Sequence, residues 1–230
     1  MAQQLILDIL PAAEPTFDNM VLGTNAAAVT AAKDLQPGQS AYFWGPQASG
    51  RSHLLRASVK WFDGVYIEAS QALASINHLL DGQTMPALVA VDDVHRLDEP
   101  ALGALFGLYN RWREQSADQT AFRLISAGDR APLQMQCRED VRTRLGWAMV
   151  FRIEPISDQE KFDALMQYAQ ASAMPLSTDV LKWLLVHGSR DIRALFAVLD
   201  ALDRYALANH RPLTLPLLKS MMANEPSGPT

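Results

Sequence analysis

The sequence predicts an α/β domain on a mostly parallel sheet, followed by a small all-helical domain. Three observations carry that prediction. Short β-type runs alternate with helical periodicity between residues 40 and 153, the order in which crossover helices join parallel strands. Residues 87–91, ALVAV, form an unbroken apolar run of the kind a strand needs when both of its faces are covered. Beyond Pro155 the strand signals stop and only helical spacing remains.

Taken in order, residues 1–16 (MAQQLILDILPAAEPT) read as a short apolar segment on an extended tether through Pro11 and Pro15. A strand is expected over 40–44, then Gly-rich punctuation, then a helix over 52–60. Strands follow over 65–68, 87–91, 122–126 and 148–153, with the clearest intervening helix over 100–115. Four amphipathic helices are expected over 158–171, 177–187, 190–209 and 214–222. In them Leu181, Leu184 and Leu185, then Ile192, Leu195, Phe196 and Leu199, recur on one face. The expected organisation is a flexible tail over 1–15, the α/β domain over 16–155, the helical domain over 156–222 and a disordered tail over 223–230.

Composition narrows the function. The 230 residues carry a net charge of −5, which disfavours a protein that coats duplex DNA by neutralising phosphates. The charge is uneven: residues 1–110 hold 5 Lys/Arg against 11 Asp/Glu, whereas all eight basic residues from 111 to 152 are arginine. Arginine suits planar, bidentate contact with phosphate or carboxylate, although a solvated arginine-rich face accounts for most of the eight. The lone cysteine, Cys137, fits a reducing compartment. The N-terminus lacks the basic residues of a signal peptide, and no apolar run approaches the ~20 residues of a membrane helix. A soluble, cytoplasmic protein is expected. His95, the other histidines and Cys137 have no partners at ligand spacing and are assigned no chemistry.

Residues 45–52, GPQASGRS, sit directly between an expected strand and helix. They match the phosphate-loop pattern GxxxxGK[ST] except that Arg51 stands where lysine is usual. Gly45 and Gly50 allow backbone N–H groups to turn inward around phosphate oxygens, and the helix adds its positive dipole end. Pro46, Gln47, Ala48, Ser49, Arg51, Ser52 and His53 complete the candidate nucleotide loop. Ser52 is placed on Mg²⁺, and Arg51 supplies charge but not the compact point charge of lysine. The second half of such a site is an acidic residue at the end of a buried strand. In ALVAVDD, Asp92 takes the metal side and Asp93 the position that polarises water. Aspartate is shorter than the glutamate common there, so hydrolysis is expected to be weak or nil. An ordinary strand-to-helix turn and a capped strand end remain the plainer readings of each half alone.

Further segments resemble the DnaA-related AAA+ family in its own order. Residues 123–130, RLISAGDR, look like the first-sensor strand with Asp129 at its tip. Residues 138–147, REDVRTRLGW, are similar to the box ending in the arginine finger, which maps to Arg144 with Arg142 as a companion. Residues 188–194, GSRDIRA, resemble the second-sensor helix, with the sensor at Arg190. Residues 16–23, TFDNMVLG, look like the adenine-side segment and place Val21 and Leu22 against the base. The resemblance spans about residues 16–222. It implies a five-stranded parallel sheet sandwiched by helices, a four-helix lid, and ADP or ATP with Mg²⁺ as cofactors. DnaA continues into a helix-turn-helix domain; here little more than EPSGPT follows the last expected helix, so no duplex-reading element is predicted.

The short length, the arginine in the phosphate loop and the N-terminal segment are similar to the Hda-type members of that family. Gln4, Leu5, Leu7 and Ile9 resemble the peptide by which replication proteins dock on the sliding clamp (the DNA polymerase III beta subunit). Gln4 offers an amide anchor and the apolar residues fill a groove; an N-terminal strand or turn packed on its own domain is the alternative. What this resemblance implies is a regulator of replication initiation. Held on the DNA-loaded clamp, it drives hydrolysis of DnaA-bound ATP through Arg144 in trans, leaves inactive ADP-DnaA and prevents re-initiation. The partners are then the clamp and DnaA, DNA enters only indirectly, no membrane is involved, and self-association is compatible with the fold. Asp140, four residues before Arg144, offers a plain helical ion pair instead. The competing function is an autonomous AAA+ ATPase that loads a helicase or remodels single-stranded DNA. It calls for a basic, aromatic track that the acidic total does not favour. A small-molecule kinase is disfavoured by the sensor and finger boxes.

Overall fold

A computed structural model of the chain describes residues 13–118 and 120–223. The peptide containing Gln4, Leu5, Leu7 and Ile9 lies outside them. Two compact units divide after Pro155.

In the first unit, helices and strands alternate: α1 (Ala26–Lys33), β1 (Ser40–Trp44), α2 (Arg51–Phe62), β2 (Val65–Ile67), α3 (Ala72–Asp81), β3 (Leu88–Val91), α4 (Glu99–Gln115), β4 (Arg123–Gly128), α5 (Glu139–Leu145) and β5 (Met149–Arg152). The described strands form one parallel sheet in the order β2-β3-β4-β1-β5. The family's expected five-stranded parallel sheet, flanked by helices, is present.

Alternation along the strands explains the sandwich. Tyr42, Val89, Val91 and Leu124 point to one face, where they pack with Ile76 of α3, Leu105 and Leu108 of α4 and Leu145 of α5. Ala41, Phe43, Leu88, Ala90, Ile125 and Ala127 point to the other, against Val29 of α1 and Leu54 and Leu55 of α2. Successive residues of a strand face opposite ways, so both faces must be apolar when both are covered. β1 sits between β4 and β5, with Trp44 beside Gly128 on one side and Arg152 on the other. The connections leaving β1 and β4 therefore run to opposite sides of the sheet. The crevice beyond the strands' carboxyl ends at such a point is where α/β sheets bind ligands.

Local chemistry fixes the helix ends. Asp98 caps α4 by accepting from the Ala101 N–H at 3.0 Å, with Pro100 in the first turn, where its missing N–H costs nothing. The sequence pattern sets no bounds for α1, α3 and α5.

The second unit holds, among the described residues, four helices: α6 (Asp158–Ala171), α7 (Thr178–His187), α8 (Ile192–Ala208) and α9 (Leu215–Ala223). Leu165, Leu181, Leu184, Leu195, Leu199, Leu202 and Leu218 form their core. α8 begins at Ile192, not at residue 190, because Asp191 turns its carboxylate onto the Arg193 N–H at 3.0 Å and caps the helix there.

α6 opens with a reciprocal capping box, in which Ser157 Oγ accepts from Glu160 N and Glu160 Oε2 accepts from Ser157 N at 2.7 Å. The backbone bond from Ser157, then its hydroxyl, holds the Glu160 carboxyl below its ordinary pKa. A carboxyl with a lowered folded pKa stabilises fully above its unfolded value, and that contribution fades as pH falls through the folded one. Ser157→Ala is expected to cost the unit about 1 kcal/mol, read by denaturant unfolding, and to flatten the acid side of its stability profile. An unchanged midpoint would show the box to be idle.

Candidate nucleotide site

The loop after β1 is shaped by close backbone approach. Gly45 donates its N–H to the Gly128 carbonyl at 3.2 Å, tying the loop to the end of β4. A Cβ on Gly45 would lie 2.2 Å from the Ile153 carbonyl oxygen and 3.0 Å from Ser49 Oγ, so only glycine fits. Ala48 (φ 62°) and Gly50 (φ 98°) turn through the left-handed region, and Gly50 hands the chain to α2. The first N–H groups of α2, at Arg51 and Ser52, have no intrahelical carbonyl to meet and carry the positive end of the helix dipole. Pro46, Gln47 and Ala48 form the exposed tip, whereas Ser49 is buried.

Two buried donors in this loop lack acceptors. Ser49 Oγ has no hydrogen-bond partner, and neither has Nη1 of Arg51, although Arg51 is only 8% exposed. A buried donor left unpaired costs about 1–3 kcal/mol, so a pair of them around a glycine cradle fits an anionic ligand that supplies the acceptors. The loop can hold a phosphate.

β3 delivers the acidic pair. Asp92 is 3% exposed; its Oδ2 accepts from the Tyr66 hydroxyl at 2.5 Å and its Oδ1 from the Asp93 N–H at 2.8 Å. Burial first, then the hydrogen bond to Asp92, raises the Tyr66 pKa, so the phenol stays a neutral donor. Asp93 (φ 47°) faces two cations, Arg51 at 3.3 Å and Arg96 at 3.5 Å, with His95 Nδ1 at 3.9 Å. Neither carboxylate is open as the sequence pattern suggested. Among the described residues no group of three His, Cys, Asp or Glu is placed to hold a metal ion. Of the pair expected to hold Mg²⁺, Asp92 is already engaged at both oxygens and Ser52 is exposed, so as they stand they do not fit a resident ion.

The remaining expected contacts divide. Thr16 and Asn19 bond reciprocally at 2.9 and 3.2 Å, and His53 Nε2 lies 2.8 Å from the Thr16 carbonyl, which fastens the preceding segment to α2. Asn25 clamps Glu154 through both amide atoms, at 2.9 and 2.8 Å. Between these anchors Val21 is half-buried and Leu22 exposed, apolar surface free to cover a base. Asp129 is bound bidentately by Arg130 at 2.8 and 2.6 Å. That bond, more than any other contact, holds its carboxyl below its ordinary pKa. Asp129 is therefore a paired anion, with Arg130 as the donor beside it. Arg190 is exposed on the turn before α8, outside the helix in which the sequence placed it.

Arg144 stands on α5, and its guanidinium lies 3.7 Å from the Phe106 ring centroid and 5.0 Å from that of Trp147. Nε and Nη2 both donate to Asn110 Oδ1, at 3.1 and 2.8 Å. Nη1 donates to the Asp140 carbonyl at 3.2 Å. The helical ion pair with the Asp140 carboxylate does not form, because that carboxylate takes Arg138 at 2.7 Å and the Val141 N–H at 2.8 Å. Among the described residues no carboxylate lies within ion-pair distance of Arg144, and none of its partners belongs to the phosphate loop. Arg142, its expected companion, is half-buried on the same helix. Tyr66, Phe106 and Asn110 escaped the sequence reading, because no motif marks them and only the fold brings them to these contacts; Arg130 closes the 123–130 segment, in which the resemblance gives a role only to Asp129.

Residues 158–222 match the family described as Hda, lid domain. Among solved structures, the chain is similar to domain III of the Thermotoga maritima replication initiation protein DnaA, at 18% identity and a TM-score of 0.67, covering 94% of this chain and 98% of that one. AMPPCP-bound DnaA from Aquifex aeolicus matches at 20% identity and a TM-score of 0.62, over 84% of this chain and 67% of that one. The Thermotoga maritima RuvB Holliday junction branch migration motor matches at 14% identity and a TM-score of 0.57, over 86% and 66%. At these identities the likenesses establish the fold. Among the described residues no helix is long and apolar enough to cross a membrane.

Proposed function

We propose that this chain, whose residues 158–222 match the Hda lid-domain family and whose fold is shared with DnaA, regulates replication initiation by acting on DnaA. Its Arg144 enters the ATP site of DnaA and offsets charge developing on the γ-phosphate, leaving ADP-DnaA and preventing re-initiation. One observation carries this reading: Arg144 is held rigidly against Phe106 and Asn110 without a carboxylate to neutralise it. A guanidinium fixed by an aromatic face and a neutral amide keeps its full charge and two-pronged geometry for a phosphate. A helical arginine serving only stability would be expected to meet an acid on its own helix.

Its own nucleotide, ADP or ATP, serves shape and not turnover in this proposal. The loop's unpaired donors and the AMPPCP-bound structural neighbour support nucleotide binding. The Asp93 carboxylate, facing Arg51, is poorly placed to activate water.

Clamp docking is part of the same proposal and rests on the sequence of Gln4, Leu5, Leu7 and Ile9. The test is binding of the full chain to clamp-loaded DNA. Gln4→Ala combined with Leu5→Ala is expected to weaken that association at least about a hundredfold, the effect of losing two anchors of a short peptide. ADP affinity should stay unchanged. Clamp binding that survives both substitutions would remove the adaptor role, and loss of ADP affinity alongside it would make the segment structural.

A further inference from the structure

What balances the phosphate charge in the loop is answered by side chains of the chain itself. Resting on the nucleotide reading above, we propose that this site binds a nucleoside diphosphate without magnesium, Tyr66 filling the metal position and Arg51 supplying the cation.

The buried one of the two expected metal partners, Asp92, is taken by a phenol. The Tyr66 hydroxyl donates to Asp92 Oδ2 at 2.5 Å. The other Asp92 oxygen is held by the Asp93 N–H. Magnesium demands near-octahedral oxygen coordination and keeps several of its waters. A hydroxyl fixed on the Asp92 carboxylate competes for the oxygen such an ion would take.

The phenol is not loosely placed. β2 sets Tyr66 beside Ala90 of β3, which brings its side chain to the same end of the sheet as Asp92. The Arg56 guanidinium lies 3.9 Å from its ring centroid and is itself fixed by Glu68 at 2.8 Å. Ring, hydroxyl and carboxylate are thus clamped from three directions.

Positive charge then comes from Arg51. Its Nη2 spends one bond on Asp93, and its Nη1 is buried with no acceptor. One fixed guanidinium, the unpaired Ser49 hydroxyl and the start of α2 suffice for a diphosphate held by backbone N–H groups. Adding a divalent ion would require Asp92 to surrender the phenol.

Calorimetry of ADP binding to the full chain, in excess chelator and in excess Mg²⁺, tests this. The expected dissociation constants agree within about threefold. In Tyr66→Phe, which keeps the ring and frees Asp92, Mg²⁺ is expected to tighten ADP binding by about tenfold or more. Mg²⁺ alone should raise the Tm of this variant and leave that of the wild type unmoved. Wild-type binding that vanishes in chelator and returns with Mg²⁺ overturns the inference while leaving the nucleotide reading standing. A Tyr66→Phe protein as indifferent to Mg²⁺ as the wild type, in both readouts, overturns the role of Tyr66. Absence of ADP binding under either condition overturns the nucleotide reading and this inference with it.

Discussion

Arg144→Ala is expected to slow the stimulated loss of DnaA-bound ATP by about a thousandfold or more, the scale of an arginine finger's contribution to phosphoryl transfer. The chain itself should remain folded. Arg144 is half-buried, so its removal forfeits cation–π contacts with Phe106 and Trp147 and hydrogen bonds to Asn110 and the Asp140 carbonyl, about 2 kcal/mol together. Arg144→Lys should recover little of the activity. A lysine cannot lie flat on Phe106 while presenting two donors to Asn110, and it offers a γ-phosphate a point charge instead of a fork. Asn110→Ala keeps the charge but frees the side chain, so a smaller loss, about tenfold, is expected from misplacement alone. Single-turnover measurement of ATP in preloaded DnaA checks all three. Equal stimulation by wild type and Arg144→Ala would remove the finger.

Gly45→Ala is expected to abolish nucleotide binding and to destabilise the α/β unit by about 3 kcal/mol, the upper range for forcing an atom into packed surroundings. The added Cβ meets the Ile153 carbonyl oxygen at 2.2 Å, and that residue cannot yield cheaply. Its N–H pairs with the Trp44 carbonyl at 2.7 Å, and its side chain is fully buried in the core shared with α1 and α2. Relief must come from the loop, and moving Gly45 pulls its N–H from Gly128 and turns the cradle away from the start of α2. Thermal melting with and without ADP separates the two effects. A variant that melts like the wild type and still gains stability from ADP would show the cradle to be looser than drawn.

The sheet was legible in the sequence because parallel strands covered on both faces leave unbroken apolar runs, and within residues 87–91 the four from Leu88 to Val91 are all buried. The helical unit was legible for the opposite reason: Leu195, Leu199 and Leu202 repeat at helical spacing in α8, with Asp200, Asp203 and Arg204 between and after them outside the core. α1 was missed because it buries itself through Ala28, Val29 and Ala32, small residues with weak periodic contrast. α5 is seven residues long, and only Val141 and Leu145 reach the core. The phosphate loop could be found because its chemistry is contiguous in the chain. Tyr66 could not, since a three-residue strand sets it beside Asp92, 26 residues away. Asp140 and Arg144 show how spacing misleads: four residues apart on a helix permits an ion pair, but Arg138 competes for the acid and Asn110 for the base.

The central claim is that this chain acts on the nucleotide of another protein and not on its own. DnaA preloaded with labelled ATP, mixed with clamp-loaded DNA and a trace of this chain, measures that directly. The predicted result is rapid conversion of the DnaA-bound ATP to ADP, with no turnover when ATP is offered to this chain alone. ATP on DnaA that decays at the same rate with and without the chain, or sustained hydrolysis by the chain in the absence of DnaA, would contradict it.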